Sequence, residues 1–272
     1  MDTVLLLDVG NTNVKIGLAQ PGRGQLRTYA LPTTPAGRIG TADSWGLKLL
    51  EICRVEGVDP GEIVDIVASS VVPPMNPVLT RAAARFFGQP GQSIRFVPGD
   101  IPLSIENCYA RPQEVGSDRL VTAYAARAVC HAHTLIVVDF GTATTFDCVQ
   151  GNSYLGGLIC PGVLSSAQAL ATGTAKLPHI TLEMDADEAK GCLHIGRSTA
   201  ESLNQGLLFG FAAMVEGLAA RLACTLGVGP GDAHVMATGG FAKTIAGLCP
   251  AIDEVREDLL MDGLLLAWKS VR

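Results

Sequence analysis

The sequence predicts an α/β protein built from two similar lobes, and three observations carry that expectation. Hydrophobic residues make up 48% of the 272 positions and charged residues 17%, the balance of a chain that packs a sizeable core. Helix-like and strand-like runs alternate along most of its length, the pattern of mixed layers. The segment "LLLDVGNTNVK" has a counterpart in "TLIVVDFGTATTFDCV": laying one on the other matches Asp8 with Asp139 and Gly10 with Gly141, 131 positions apart and close to half the chain. Each copy is an apolar strand, an Asp-x-Gly, small hydroxyl or amide residues and a returning strand, which reads as an internal duplication.

In order, the first half opens with that strand and its return "VKIGLA". A helix follows over 41–57 from a Thr41 cap, then a strand in "EIVDIVASSVV", a helix in "MNPVLTRAAARFFG" and a strand in "SIRFVPG". The second half starts with a helix over 117–130, continues through the second hairpin, and adds helices over 162–175, over 198–227 and in the tail. The glycine-rich stretches "YLGGLICPGV" and "HVMATGGFAK" read as turns, the second also able to let an adenine ring lie against backbone. The lobes are expected at 1–115 and 116–272.

A net charge of −6 and a pI near 5.3 exclude a polyanion-coating surface, so no nucleic-acid partner is expected. The most apolar stretch is interrupted by Glu216 and Arg221 before it reaches spanning length, so no membrane is expected either. The apolar run at the start is bracketed by Asp2 and Asp8 without a basic flank, unlike a secretory signal, which leads to the expectation of a cytoplasmic protein. Eight dispersed cysteines without a Cys-x-x-Cys pair are expected to be reduced and mostly buried.

A phosphate needs close N–H donors, room for its oxygens and a cation held by carboxylates. Gly10 lets the main chain approach, Asn11 and Thr12 donate, Asp8 positions Mg²⁺ through its water shell and Lys15 adds a positive charge. The same residues are also the ingredients of an Asx-type turn, and the second copy, with Thr142, favours the phosphate reading as a two-sided clamp. Neither a Walker loop nor a dinucleotide fingerprint occurs, and the "DFG" lacks a kinase context.

In "EVGSDRL", Gly116 introduces Ser117, Asp118 and Arg119 at a helix start. Locally these are an N-cap and a surface charge; beside a phosphate site, Asp118 is a candidate base and Arg119 a clamp for an anionic group. "CHAH" at 130–133 reads as packing and surface residues, and no zinc is assigned.

Taken in order, "DVGNTNVK" at 8–15, "SSVVP" at 69–73, "YARPQEVGSDR" at 109–119, "DFGTATT" at 139–145, "GGLICPG" at 156–162, "LP" at 177–178, "GRSTAESLNQG" at 196–206 and "TGG" at 238–240 resemble a type III pantothenate kinase. The resemblance runs nearly end to end. It implies a duplicated ribonuclease H-like, actin-like ATPase fold with a nucleotide cleft between the lobes, and transfer of the ATP γ-phosphoryl to pantothenate in the first step of coenzyme A biosynthesis. It further implies Asp118 as catalytic base. Tyr109 and Gly116, Ser117, Asp118 and Arg119 would line the pantothenate pocket, and Asp8, Val9, Gly10, Asn11, Thr12, Asn13, Val14, Lys15 and Thr142 would hold ATP. A monovalent cation, potassium or ammonium, would sit on Asp139, and the chain would form a homodimer in which Thr199 of the partner subunit reaches pantothenate. The interface would be the apolar helix over 203–222. Family members commonly carry Ala where Ser117 stands, and "ENC" before Tyr109 is a further departure. Rival readings are another small-molecule kinase of the superfamily and an accessory or regulatory protein that keeps the fold.

Overall fold

The computed structural model describes residues 3–34, 39–88, 93–173, 177–178, 182 and 191–272. The chain runs β1 (Thr3–Val9), β2 (Asn13–Gln20), β3 (Gln25–Pro32), α1 (Ala42–Val55), β4 (Ile63–Ser70), α2 (Asn76–Phe86), β5 (Ile94–Phe96), β6 (Glu106–Asn107) and α3 (Ser117–Val129). It continues through β7 (Thr134–Phe140), β8 (Ala143–Gln150), β9 (Ser153–Pro161), α4 (Val163–Gly173), α5 (Thr199–Thr225), β10 (His234–Gly239), α6 (Ala242–Ala246), β11 (Glu254–Val255) and α7 (Leu259–Lys269).

The duplication is present in the topology. One sheet has the order β3-β2-β1-β4-β5, and the other β9-β8-β7-β10-β11 with β6 added beyond β9. In each, a three-stranded antiparallel meander is followed by parallel strands. The copies differ by one residue at the first turn: Asp8 pairs across the hairpin with Lys15, whereas Asp139 pairs with Thr145. The expected spacing of 131 therefore holds up to the glycines and becomes 130 on the returning strand.

The compact units are not the two consecutive segments 1–115 and 116–272. The first unit comprises Met1–Ser104, Gln113–Ala125 and Leu260–Arg272, and the second Ile105–Pro112 and Ala126–Leu259. The reason lies in the central strand β1, which is apolar on both faces and needs cover on both. Leu5, Leu7 and Val9 pack with Trp45, Leu49, Leu79 and Ala82 of α1 and α2. Val4 and Leu6 pack with Val121 of α3 and Leu260, Met261, Leu264 and Trp268 of α7. The C-terminal helix thus completes the N-terminal core. Trp268 Nε1 also donates to Asp65 Oδ2 at 3.0 Å, across 203 positions of chain. At Gly263, a side chain would meet the Val121 carbonyl at 2.6 Å, so glycine permits the close approach of α7 to α3.

In the second unit, Ile136, Val138, Phe140, Phe146 and Cys148 form a core with Leu208, Phe211 and Val215 of α5 and Ala242 and Ile245 of α6. α5 is long and apolar enough by length and composition to cross a membrane, yet it buries Leu207, Leu208, Phe211, Ala212, Val215, Ala219 and Ala223 in this core. Gly206, Gly210, Ala213, Glu216, Gly217 and Arg221 are exposed on it.

Several expectations are corrected. "YLGGLICP" is a strand, β9, whose exposed positions alternate with buried or half-buried ones and which pairs with β8 on both sides of Leu155, and "HVMATG" is likewise a strand, the largely buried β10. β3 is a sheet edge strand, largely exposed and without the apolar alternation that would have marked it. None of the cysteines is in a disulfide, but only Cys53, Cys130, Cys148 and Cys249 are buried, while Cys160 is half-buried and Cys108, Cys192 and Cys224 are exposed. The helix expected over 162–175 is described as α4 to Gly173, and 174–175 lie outside the described residues.

Candidate functional site

The first hairpin turn is built from both of its flanks. Gly10 N donates to Asn13 O at 3.0 Å, and Thr33, just past β3, donates from its N to Thr12 O and from Oγ1 to Gly10 O at 2.6 Å. With those carbonyls held, the turn presents Asn11, Thr12 and Asn13 to solvent, with Lys15 exposed behind them. Val9 and Val14 have fully buried side chains in the α1/α2 core, so only their backbone is available to a ligand. Asp8, half-buried at the end of β1, lies on the sheet face that carries α3 and is in register with Ser69 of β4.

The end of β4 anchors α3. Ser117 Oγ lies 2.9 Å from Ser69 Oγ, accepts from Ser70 N at 3.0 Å and donates to Ser70 O at 3.1 Å. Asp8 and the first turn of α3 are thereby brought to the same end of one sheet face. Asp118 Oδ1 accepts from Arg119 N at 2.8 Å. Gly116 makes room for it: a Cβ there would stand 2.3 Å from Asp118 Oδ1 and 3.2 Å from Val71. Burial raises the pKa of Asp118, against the opposing pull of the Arg119 backbone N–H, the Arg119 charge and its own N–H. A carboxyl with a strengthened hold on a proton at a helix start is suited to accept one.

In the second unit, Gly141 N donates to Ala143 O at 3.1 Å and leaves Thr142 exposed. Ser165 Oγ donates to Thr142 O at 2.7 Å, and Gly162 packs so close that a Cβ would meet that oxygen at 2.1 Å. The "CPG" motif therefore braces this turn. Asp139 is in register with Thr238 of β10. Gly239, at φ +90°, faces it: a Cβ would lie 2.5 Å from Asp139 Oδ1 and 2.7 Å from Phe140 O. The positive φ and the close carboxylate both require glycine. Carboxylate and carbonyl oxygens are the donor set of a hard cation, and the space a Cβ would take lies against both, so these residues fit such an ion.

Tyr109 lies beyond β6, its N donating to Asn107 Oδ1 at 3.1 Å. Thr199 is exposed as the first residue of α5, behind the Ser198 cap, whose hydroxyl accepts from Glu201 N at 3.2 Å. The carboxyl of Glu201 is held below its usual range, chiefly by the Arg197 backbone N–H. The "CHAH" turn is braced by Arg127, whose guanidinium bonds the carbonyls of Cys130, Ala132 and Gly151, with His131 and His133 exposed. Residue-level reasoning missed Thr33, Ser69, Ser70 and Ser165. Their roles come from loops and strands distant in sequence, and only the "SSVVP" and "CPG" motifs hinted at them.

The fold is shared with a candidate 2-dehydro-3-deoxygalactonokinase from Sinorhizobium meliloti, with a TM-score of 0.58, 13% identity and 98% and 96% of the two chains covered. A polyphosphate/ATP-glucomannokinase from Arthrobacter sp. strain KM superposes with a TM-score of 0.51 at 15% identity over 100% of both chains. Both are consistent with a duplicated ribonuclease H-like architecture. In sequence, the chain is 54% identical over 265 residues to a type III pantothenate kinase of Nitratidesulfovibrio vulgaris strain Miyazaki F, covering 97% of this chain and 96% of that protein. It is 37% identical over 268 residues to one of Myxococcus xanthus, covering 97% of each. The family model described as type III pantothenate kinase matches residues 4–221. With that match reaching from β1 into α5, and with relatives aligned end to end, the chain belongs to the type III pantothenate kinase family.

Proposed function

We propose that this chain is an ATP-dependent pantothenate kinase that transfers the γ-phosphoryl group to the 4′-hydroxyl of pantothenate, the first step of coenzyme A biosynthesis. The observation that carries the reading is 54% identity over 97% of the chain to a type III pantothenate kinase. Asp118, whose pKa is raised by burial, accepts the proton of the attacking hydroxyl, and Arg119 stabilises the transferring group. Tyr109, Gly116 and Ser117 contribute to the pantothenate pocket. Asp8, the backbone of Val9 and Val14, Gly10, Asn11, Thr12, Asn13, Lys15 and Thr142 hold the ATP phosphates. Asp8 would hold Mg²⁺ through water, and the ion would supply neutralisation of the phosphate charge. Asp139 would hold a monovalent cation, potassium or ammonium, with Gly239 leaving its carboxylate uncovered by a side chain. The working form is a cytoplasmic homodimer joined along the exposed face of α5, with Thr199 of the partner subunit reaching pantothenate.

The test is purified protein with ATP, Mg²⁺, K⁺ and pantothenate, scored for ADP and for phosphopantothenate by mass. ADP release that depends on pantothenate, with the phosphorylated product, is expected. Absence of product above background with both cations supplied overturns the reading.

A further inference from the structure

Asp147 lies on the returning strand of the second hairpin and has no role assigned above, yet it is a carboxyl group only 1% exposed in the middle of β8. Burying a carboxyl is costly without hydrogen-bond donors, and two hydroxyls supply them. Tyr154 Oη donates to Asp147 Oδ1 at 2.9 Å, and Thr145 Oγ1 donates to Oδ2 at 3.2 Å. The Tyr154 ring, itself fully buried, is thus fixed at its far end as well as by its packing.

What Tyr154 supports is Tyr109. Their ring centroids are 6.5 Å apart with the planes tilted by 36°, a favourable aromatic contact. Cys108 N donates to Tyr154 O at 2.9 Å, which ties the chain before Tyr109 to β9. The floor is Gly156, at φ +107°, where a Cβ would stand 2.9 Å from the Tyr109 ring. An irregularity in the β8/β9 register makes this arrangement: Cys148 pairs with Gly156, but Val149 pairs with Tyr154, leaving Leu155 as the extra residue. The bulge turns Tyr154 onto the face of β8 that bears Asp147.

We propose that Asp147 is a positioning residue for acceptor binding: it locks Tyr154, and Tyr154 with Gly156 forms the seat that fixes the Tyr109 ring. This rests on the reading of Tyr109 as a pantothenate contact. Because Asp147 acts through Tyr154 on Tyr109, its effect is on the acceptor side and not on ATP. Tyr154→Phe keeps the ring and its packing while removing the bond to Asp147. Asp147→Asn keeps an oxygen that can accept from Tyr154, whereas Asp147→Ala keeps none.

Steady-state kinetics of Tyr154→Phe, Asp147→Ala, Asp147→Asn, Tyr109→Ala and the Tyr109→Ala/Tyr154→Phe double variant, each with thermal unfolding as a folding control, separate the possibilities. Tyr154→Phe should raise KM for pantothenate roughly fivefold, as expected for losing one hydrogen bond, and Asp147→Ala, which also loses the bond from Thr145, at least as much, with KM for ATP within about twofold of the parent in both. Asp147→Asn should restore most of the affinity, and Tyr154→Phe should add nothing once Tyr109 is Ala. If Tyr109→Ala raises KM for pantothenate and Tyr154→Phe does not, the positioning role is overturned while the pocket reading stands. If Tyr109→Ala itself leaves that KM unchanged, the pocket reading falls and the inference falls with it. Equal losses toward ATP and pantothenate in folded variants, or additive losses in the double variant, also overturn it.

Discussion

Ser117 Oγ, on the first turn of α3, sits 2.9 Å from Ser69 Oγ near the end of β4. It also donates to Ser70 O and accepts from Ser70 N. One side chain thereby fixes the helix start that carries Asp118. Removing the hydroxyl in Ser117→Ala leaves Ser70 N without this acceptor and should cost about 1–2 kcal/mol of stability. Turnover should stay within roughly tenfold, because the acid and the arginine beside it are retained. Urea unfolding paired with initial rates measures both, and a variant as stable as the parent would show that the anchor contributes nothing.

Asp118 links rate to stability with opposite signs. Burial lifts its pKa above the ordinary 3.8, so the folded protein holds this proton more tightly than the unfolded chain. Stability from this group therefore falls as pH rises from the ordinary value through the raised one, and the deficit persists at neutral pH. Asp118→Asn removes the deficit: the melting temperature at neutral pH should rise, and the gain should shrink toward acid pH. Turnover in the same variant should fall by roughly 10²-fold or more while ATP binding survives. A near-parental rate would remove Asp118 from the base role.

The acid limb of the activity profile should follow the same group. Since the base form is lost on protonation, turnover should decline at a pH above the ordinary carboxylate value of 3.8, and the decline should be absent from the residual activity of Asp118→Asn. A profile of turnover against pH for both proteins decides this.

Gly239 packs directly on Asp139, since a Cβ on Gly239 would stand 2.5 Å from the Asp139 carboxylate oxygen. Gly239→Ala should lose about 1–3 kcal/mol from a positive φ alone. It should also blunt the preference for K⁺ over Na⁺, as Asp139→Asn should. Activity titrated with each salt at constant ionic strength tests the pair, and a full K⁺ response in both variants would remove the cation from Asp139.

The exposed residues Gly206, Gly210, Ala213 and Gly217 recur at spacings of three or four on α5, a surface that allows close helix approach across a two-fold axis. Ala213→Arg places a long cation there and should yield monomers with weakened pantothenate binding. Light scattering that finds the unmodified protein monomeric and fully active would defeat the dimer reading.

The sequence by itself determined the parts whose information is local. Strand-to-turn hydrophobic runs and the recurring Asp-x-Gly disclosed the duplication, since burial period and turn chemistry are written within a few neighbouring residues. The helix start that carries Asp118 was legible for the same reason, announced by Gly116 and Ser117. What only the tertiary structure decided depends on residues far apart in the chain. α7 closes the core of the first unit because β1 is apolar on both faces, a demand that no segment near it in sequence meets. Ser117 reaches back 48 positions to Ser69, and Thr33 holds the Gly10 turn 23 positions away. The bulge at Leu155 brings Tyr154 onto the Asp147 face, and a one-residue change of register leaves no mark in composition or periodicity.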